Sequence, residues 1–417
     1  MWEAGLFILI VVAIAVGWVL GRYGRNLWRL STGTSGRASV VDHAGFYRGL
    51  EFLFNESLFK ESLLHDKPDE AVEAFIQSLD INRETLELHL ALGNLLRRKG
   101  EVDGAIRVHQ NLLAKLAATG KPQHIQLELA RDFIAAGLLD RAEQTLLDLI
   151  PDAGELRARC VNLLIEIYQS EKEWQKAIDA AVWMGVPTAK RRAHSIVDET
   201  QISIAHFHCE LVERAMQHKH IAEARKHVRA ALRADRRCVR ASLLQGRLLL
   251  MQARPRAAIR ALRKIEFQQA DMLPETIPLL ADAFASLDDQ PAFVQLLQRW
   301  VDKYPRNSLV LALTAELEKE QGDRAAAKLL AEQLKTKPSL RGLNQLIEYR
   351  LQHADGRTQE NLGLPLGLLK ALIGTLIDSK PVYQCDHCGF AGQRLHWQCP
   401  GCKKWGYIKP IAGVEGE

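Results

Sequence analysis

Apolar and polar positions follow three regimes along this chain. Residues 4–21 (AGLFILIVVAIAVGWVLG) carry no charge and are nearly all apolar. As a helix they would rise about 27 Å, enough for a hydrocarbon core. Trp2 and Trp18 lie near the two ends, where indoles prefer a membrane interface, and Arg22, Arg25 and Arg29 follow. Only Glu3 precedes the run, whereas a cleaved signal peptide needs positive charge there. The pattern predicts an N-terminal transmembrane helix over 1–21, a single-pass anchor whose charge bias puts the C-terminal side in the cytoplasm. A small, polar stretch at 30–42 (LSTGTSGRASVVD) reads as linker.

Beyond the linker the apolar period becomes helical and repeats. A small or apolar residue is followed twelve positions later by alanine: Gly93 with Ala105, Ala130 with Ala142, Ile165 with Ala177, Val212 with Ala224, Gly246 with Ala258 and Leu313 with Ala325. Turn sequences such as KGEVDG (99–104) and AGLLDR (136–141) lie between. The alanine recurs at 71, 105, 142 and 177, and again at 224 and 258. This resembles the tetratricopeptide pattern, a helix–turn–helix unit of about 34 residues. Antiparallel helices that cross closely need a small residue at the crossing and larger apolar groups around it. Leu86, Leu90, Leu92, Leu95 and Leu96 would fill one first helix, and Ile106, Leu112 and Leu113 its partner. One unit cannot bury its own face, so neighbours must stack. Six to nine units fit between about residues 44 and 335, with phase lost at 185–205 and at 265–305, where Pro274, Pro278, Pro291 and Pro305 intervene.

Composition agrees with helices: aromatic residues make up only 6% of the chain. Charge changes the picture more. The net charge is +5, yet Lys219–Lys264 holds fourteen Lys or Arg against Glu223 and Asp235. So dense a run implies a counter-surface. Anionic lipid and acidic protein stay open beside a plain solvated face. Nucleic acid is disfavoured, because single-strand binding uses aromatic platforms and the run has none. The shorter runs at 97–99 and 190–192 read as charges closing helix C-termini.

The third regime is cysteine-based. Cys385 and Cys388 form one C-x-x-C pair, and Cys399 and Cys402 another, ten residues on. Each pair can turn two thiolates onto one ion, with Gly389 and Gly401 giving tight turns. Four sulfurs complete a tetrahedral shell and leave no position for water, which predicts a structural rather than catalytic ion: zinc, with iron as the alternative. Arg394, Lys403 and Lys404 would offset the charge of the site, and His387 and His396 lie beside the ligands rather than among them. Cys160, Cys209 and Cys238 read as packed thiols, as His194, His206, His208 and His220 read as structural histidines. An apolar stretch at 364–377 predicts a helix packed between solenoid and knuckle. There is no phosphate-binding glycine loop, nucleophile elbow or H-E-x-x-H, so neither a catalytic residue nor an organic cofactor site is predicted.

The order of these parts, with FYRGLEFLFNE at 46–56, DEAVEAFIQSL at 69–79, the run at 84–113 and the final CDHCGF…HWQCPGC…W, is similar to the lipopolysaccharide assembly protein B family. The resemblance implies an all-α tetratricopeptide superhelical solenoid with an N-terminal transmembrane helix and a small rubredoxin-type knuckle. Expected domains are 1–21 anchor, 22–43 juxtamembrane linker, 44–337 repeats, 338–378 helical connector and 379–417 metal-binding domain. It implies a cell inner membrane location with a periplasmic N-terminus and no enzymatic activity. It further implies an adaptor that presents the deacetylase of the lipid A pathway to a membrane-bound AAA metalloprotease. Other inner-membrane lipopolysaccharide assembly or signalling proteins are implied partners, and a homo-oligomer stays open. A general protein- or RNA-binding scaffold is the alternative.

Overall fold

The computed structural model describes residues 86–116, 123–183, 199–304, 306–352 and 356–413. By contacts the chain falls into two compact units, 1–92 and 93–417. Of the first only residues 86–92 are described, and all the other described residues belong to the second.

Antiparallel helix pairs build this second unit: α1 (Leu86–Lys99, of which 93–99 belong here) with α2 (Val102–Leu116), α3 (Gln123–Ala135) with α4 (Leu139–Leu149), and α5 (Arg157–Ser170) with α6 (Trp174–Trp183). Then come α7 (Glu199–Gln217) with α8 (Ile221–Ala234), and α9 (Val239–Met251) with α10 (Pro255–Leu262). A short α11 (Ile265–Gln268) and a 3-10 turn (Ala270–Thr276) lead to α12 (Ile277–Ala285) with α13 (Gln290–Lys303), α14 (Asn307–Gln321) with α15 (Asp323–Thr336), and α16 (Leu340–Gln352) with α17 (Gly356–Ser379). The crossing alanines Ala105, Ala142, Ala177, Ala224 and Ala258 are all fully buried. At Gly246 an added methyl would lie 2.5 Å from Leu262 Cδ2, so the first helix there has room only for hydrogen.

The turns repeat as strictly as the crossings. Gly100, Gly137, Lys172, Lys219, Ala253 and Asp288 each have positive φ, between 52° and 91°. Each is followed by an amide that reaches five residues back: Glu101 to Leu96, Leu138 to Phe133, Glu173 to Tyr168, His220 to Ala215, Arg254 to Leu249 and Asp289 to Phe284. This left-handed cap with its long return bond satisfies the orphan carbonyls of each first helix. It also locates a unit inside the stretch where periodicity is lost. Five residues after Asp288 the crossing position holds Phe293, not alanine, and its ring stacks on Phe284 at 5.3 Å. A ring in place of a methyl hides the unit from an alanine-based pattern.

Three expectations need correction. The partner of Leu313 is Ala326, which is fully buried, and not Ala325. Here α14 closes through a single bond from the Gly322 amide to the Glu318 carbonyl, so the register moves by one. The apolar stretch at 364–377 belongs to the longer α17, which packs on α16, with Lys370 paired to Glu348 at 3.1 Å. It buries Ile373 but leaves Leu368, Leu369, Leu372 and Leu376 exposed, and it meets the knuckle at its C-terminal end, where Gln393 donates to the Asp378 carbonyl at 3.0 Å. Finally, no helix among the described residues is long and apolar enough to cross a membrane. The described residues therefore hold no counterpart of the expected transmembrane helix or of the single-pass inner-membrane location with a periplasmic N-terminus; residues 1–21, on which both expectations rested, lie outside the described residues.

The chain ends in a three-stranded antiparallel sheet, which an all-α expectation did not include. β1 (Tyr383–Cys385) lies between β2 (Ala391–Gly392) and β3 (Ile408–Pro410).

The left-handed cap gives a direct test. A non-glycine residue in that conformation costs roughly 1–2 kcal/mol. Ala253→Gly should raise the urea midpoint and Gly137→Ala should lower it. Midpoints moving together would show that the caps do not govern the turns.

Candidate metal centre and its dock

The two cysteine pairs sit on two turns of matching design. The Gly389 amide returns to the Cys385 carbonyl, and the Lys403 amide to the Cys399 carbonyl, each at 2.9 Å. Gly389 (φ 78°) and Lys403 (φ 59°) supply the left-handed step. Gly401 lies inside the second turn, as expected, and an added methyl there would lie 3.4 Å from Cys388 Sγ.

The four sulfurs all lie within 4.8 Å of one another, with Cys385–Cys402 at 3.8 Å and Cys388–Cys399 at 3.5 Å. Sulfurs bound tetrahedrally at about 2.3 Å from one zinc ion would stand about 3.8 Å apart, whereas a disulfide would hold two of them at about 2.0 Å. The donor set therefore fits one tetrathiolate ion. Without a cation the Cys402 thiol is pushed up to about 12, by desolvation and by hydrogen bonding with the other three sulfurs. A bound cation reverses that shift. Cys385 and Cys399 are buried, Cys402 is half-buried and Cys388 is exposed. His387 packs on Tyr407 and His396 on Phe390, both outside the sulfur cluster.

The module spends its other side on the solenoid. Trp405 is 5% exposed. Its indole N–H donates to Gln169 Oε1 at 2.9 Å, its ring stacks on His206 at 5.1 Å, and its edges meet Trp174 and Phe207. Gln398 Nε2 reaches the same Gln169 oxygen at 3.1 Å. The Arg240 guanidinium lies 5.9 Å from the ring centroids of both Trp397 and Trp405. It is also paired with Glu210 at 2.8 Å and Glu213 at 3.0 Å. Lys404 and Tyr407 bind Glu199 at 2.7 and 3.1 Å, and those two hydrogen bonds hold its carboxyl below the usual range. Tyr383 donates to Glu275 at 2.6 Å and Asn307 to the Gly413 carbonyl at 3.3 Å. The partners thus come from α5, the start of α6, α7, α9, the 3-10 turn before α12, and α14. The module lies along the face made by the first helices of successive pairs. Beside it a crevice of about 530 Å³ opens between Asp235, Met272 and Tyr407.

Two sequence readings are revised by the dock, and a third by a contact elsewhere in the repeats. Arg240 belongs to the basic run, yet its counter-surface is the chain's own pair of indoles. His206 is structural, but as a ring under Trp405; burial first, and then the Arg240 charge, bring its pKa down to about 3, so it is neutral near pH 7. Arg97 does more than close a helix: it bridges to Asp132 at 2.6 Å and Glu128 at 2.7 Å on α3, and Asp132 also meets buried His109. Cys209 and Cys238 are packed thiols with sulfurs 4.0 Å apart, and burial pushes Cys209 well up. The signal available in the sequence was the pair Trp397 and Trp405 beside the ligands, since a module that small has no core of its own for two indoles.

Solenoid and module together define a tetratricopeptide protein that carries a rubredoxin-type metal site. Residues 383–410 match the family model of a rubredoxin metal binding domain, one designated a zinc ribbon, which favours zinc over iron. Residues 209–272 match the tetratricopeptide repeat. Over 413 residues, 99% of each chain, the sequence is 33% identical to lipopolysaccharide assembly protein B of Escherichia coli K12. It is 31% identical over 98% of each chain to that of Haemophilus influenzae Rd. The chain belongs to the lipopolysaccharide assembly protein B family. Among solved structures, Naa15/Naa10 bound to HypK-THB is similar over 76% of this chain and 48% of that one, at 18% identity and a TM-score of 0.49, too loose a likeness to carry anything further.

Both the dock and the ion can be tested by substitution. Arg240→Ala would leave Glu210 and Glu213 facing each other without their cation. It should cost about 2–4 kcal/mol, less than a fully buried pair because Glu213 is partly exposed. A denaturation midpoint equal to wild type would contradict the dock's weight. The purified chain should be colourless and carry about one zinc by elemental analysis, the fourth position of a tetrahedral shell needing a soft ligand. Cys399→Ser should lose most of that zinc; a full zinc complement in the variant would remove Cys399 from the shell.

Proposed function

We propose that this chain is a non-enzymatic adaptor in lipopolysaccharide assembly. In this reading it presents the deacetylase of the lipid A pathway to a membrane-bound AAA metalloprotease and so restrains the pathway. Cys385, Cys388, Cys399 and Cys402 hold one zinc ion whose work is structural. The names of the relatives support the pathway. The adaptor reading is supported by the kind of site the chain builds: four sulfurs fill the shell, leaving no coordination position at which a substrate or water could be activated. Beside the shell, Gln398, Lys404, Trp405 and Tyr407 are engaged in gripping the repeats.

The observation that carries the proposal is the dock. A metal module clamped across the first helices of several repeats sets the shape of a protein-binding face and supplies no chemistry to it. Helical repeats offer extended surfaces for other polypeptides, and the crevice beside Tyr407 adds a recess to that surface.

The test is the lifetime of the client in cells. Depletion of this chain should lengthen the deacetylase half-life several-fold, and the wild-type chain should restore it while Cys399→Ser should not. The purified zinc-loaded chain should turn over nothing alone. A deacetylase half-life indifferent to depletion, or a metal-dependent reaction by the pure chain, would overturn the proposal.

A further inference from the structure

Thirteen of the fourteen cations between Lys219 and Lys264 are exposed; the fourteenth, Arg240, is taken by the dock. The exposed ones are ordered. Arg225, Arg229 and Arg233 recur at one-turn intervals of about 6 Å along α8, and Arg256, Arg260 and Lys264 do the same along and just past α10. Two hydrogen bonds tie these elements together at both ends. Arg225, at the start of α8, donates to Gln252 Oε1 at 2.8 Å, just before α10. Gln268, just past α10, donates to the Arg236 carbonyl at 2.7 Å, just past α8. The two helices therefore run side by side in the same direction, and their cations form one basic face. The segment holds only two carboxylates against these cations: Glu223 lies against His220 and His227, and Asp235 is buried and accepts from the Arg237 amide.

At each end of that face a large apolar side chain stands in the open. Met251, next to Gln252, is 51% exposed, and Phe267, next to Gln268, is 81% exposed. The Lys303 ammonium lies 5.8 Å from the Phe267 ring centroid, so a cation already sits over that ring.

We infer that this face binds an anionic lipid surface. Guanidinium groups at one-turn spacing take phosphate oxygens in pairs, and a spread of cations without a shaped recess matches a layer of headgroups. Met251 and Phe267 enter the apolar side of that layer, as exposed apolar groups flanking a basic face do. Single-stranded nucleic acid would need several ring faces for base stacking, whereas no Phe, Tyr or Trp lies among the cations between Lys219 and Lys264.

The test reads the face residue by residue. The full-length zinc-loaded chain is treated with phenylglyoxal, which modifies accessible arginines, and each site is followed by mass spectrometry. Vesicles of phosphatidylcholine alone are compared with vesicles of phosphatidylcholine and phosphatidylglycerol. Arg229, Arg256 and Arg260 should react several-fold more slowly with the anionic vesicles, while exposed Arg157 and Arg159 on α5 should not change. High salt should erase the difference, since screening shortens with ionic strength. In flotation, Arg229→Glu with Arg260→Glu should bring retention on anionic vesicles down towards that on neutral ones. Equal labelling with both vesicle types would overturn the inference. So would protection by RNA or polyglutamate but not by anionic vesicles.

Discussion

The Arg240 guanidinium is buried between Glu210 and Glu213 on one side and the rings of Trp397 and Trp405 on the other. A guanidinium cannot shed its charge, so it must be given partners wherever it is buried. The carboxylates come from α7 and the rings from the far end of the chain. The position of the metal module is thereby fixed relative to the repeats, and the module's own shape depends on an ion held by four sulfurs. Neither part is complete alone: two indoles cannot be buried within some thirty residues, and the first helices would otherwise expose His206, Phe207 and Arg240.

The repeats supply the constancy this arrangement needs. Six first helices (α1, α3, α5, α7, α9 and α12) end in the same left-handed cap, and their crossings are set by a buried alanine or, at one unit, a phenylalanine. Contacts from Gln169 to Asn307 are therefore presented at regular intervals along one face, and a single small module spans them. Trp405 and Gln398 connect the ligand set to Gln169, and Tyr383 connects it to Glu275, so one ligand set is linked to several repeats.

How much of this was legible depended on the range of each interaction. The metal ligands were plain because C-x-x-C is a local device whose spacing is its geometry. Most repeats were plain because a small residue at a helix crossing recurs in one dimension. The unit around Asp288 was hidden because Phe293 fills a crossing in a way no alanine count registers, and the last unit slipped because Gly322 closes its helix differently. The dock was out of reach: Gln169, His206 and Arg240 meet Trp405 only through the folded solenoid, and charge counting assigned Arg240 to the surface. The sheet was hidden as well, since strands of two or three residues leave no period to read.

The central claim is that the ion holds the first helices as well as the module. Backbone hydrogen exchange, compared before and after chelation of zinc from the full chain, tests it most directly, because exchange reports local opening segment by segment. Loss of zinc should give faster exchange in α5, α7 and α9 together with residues 383–410, and unchanged exchange in α2 and α3. Faster exchange confined to residues 383–410, with α5, α7 and α9 as protected as before, would contradict it.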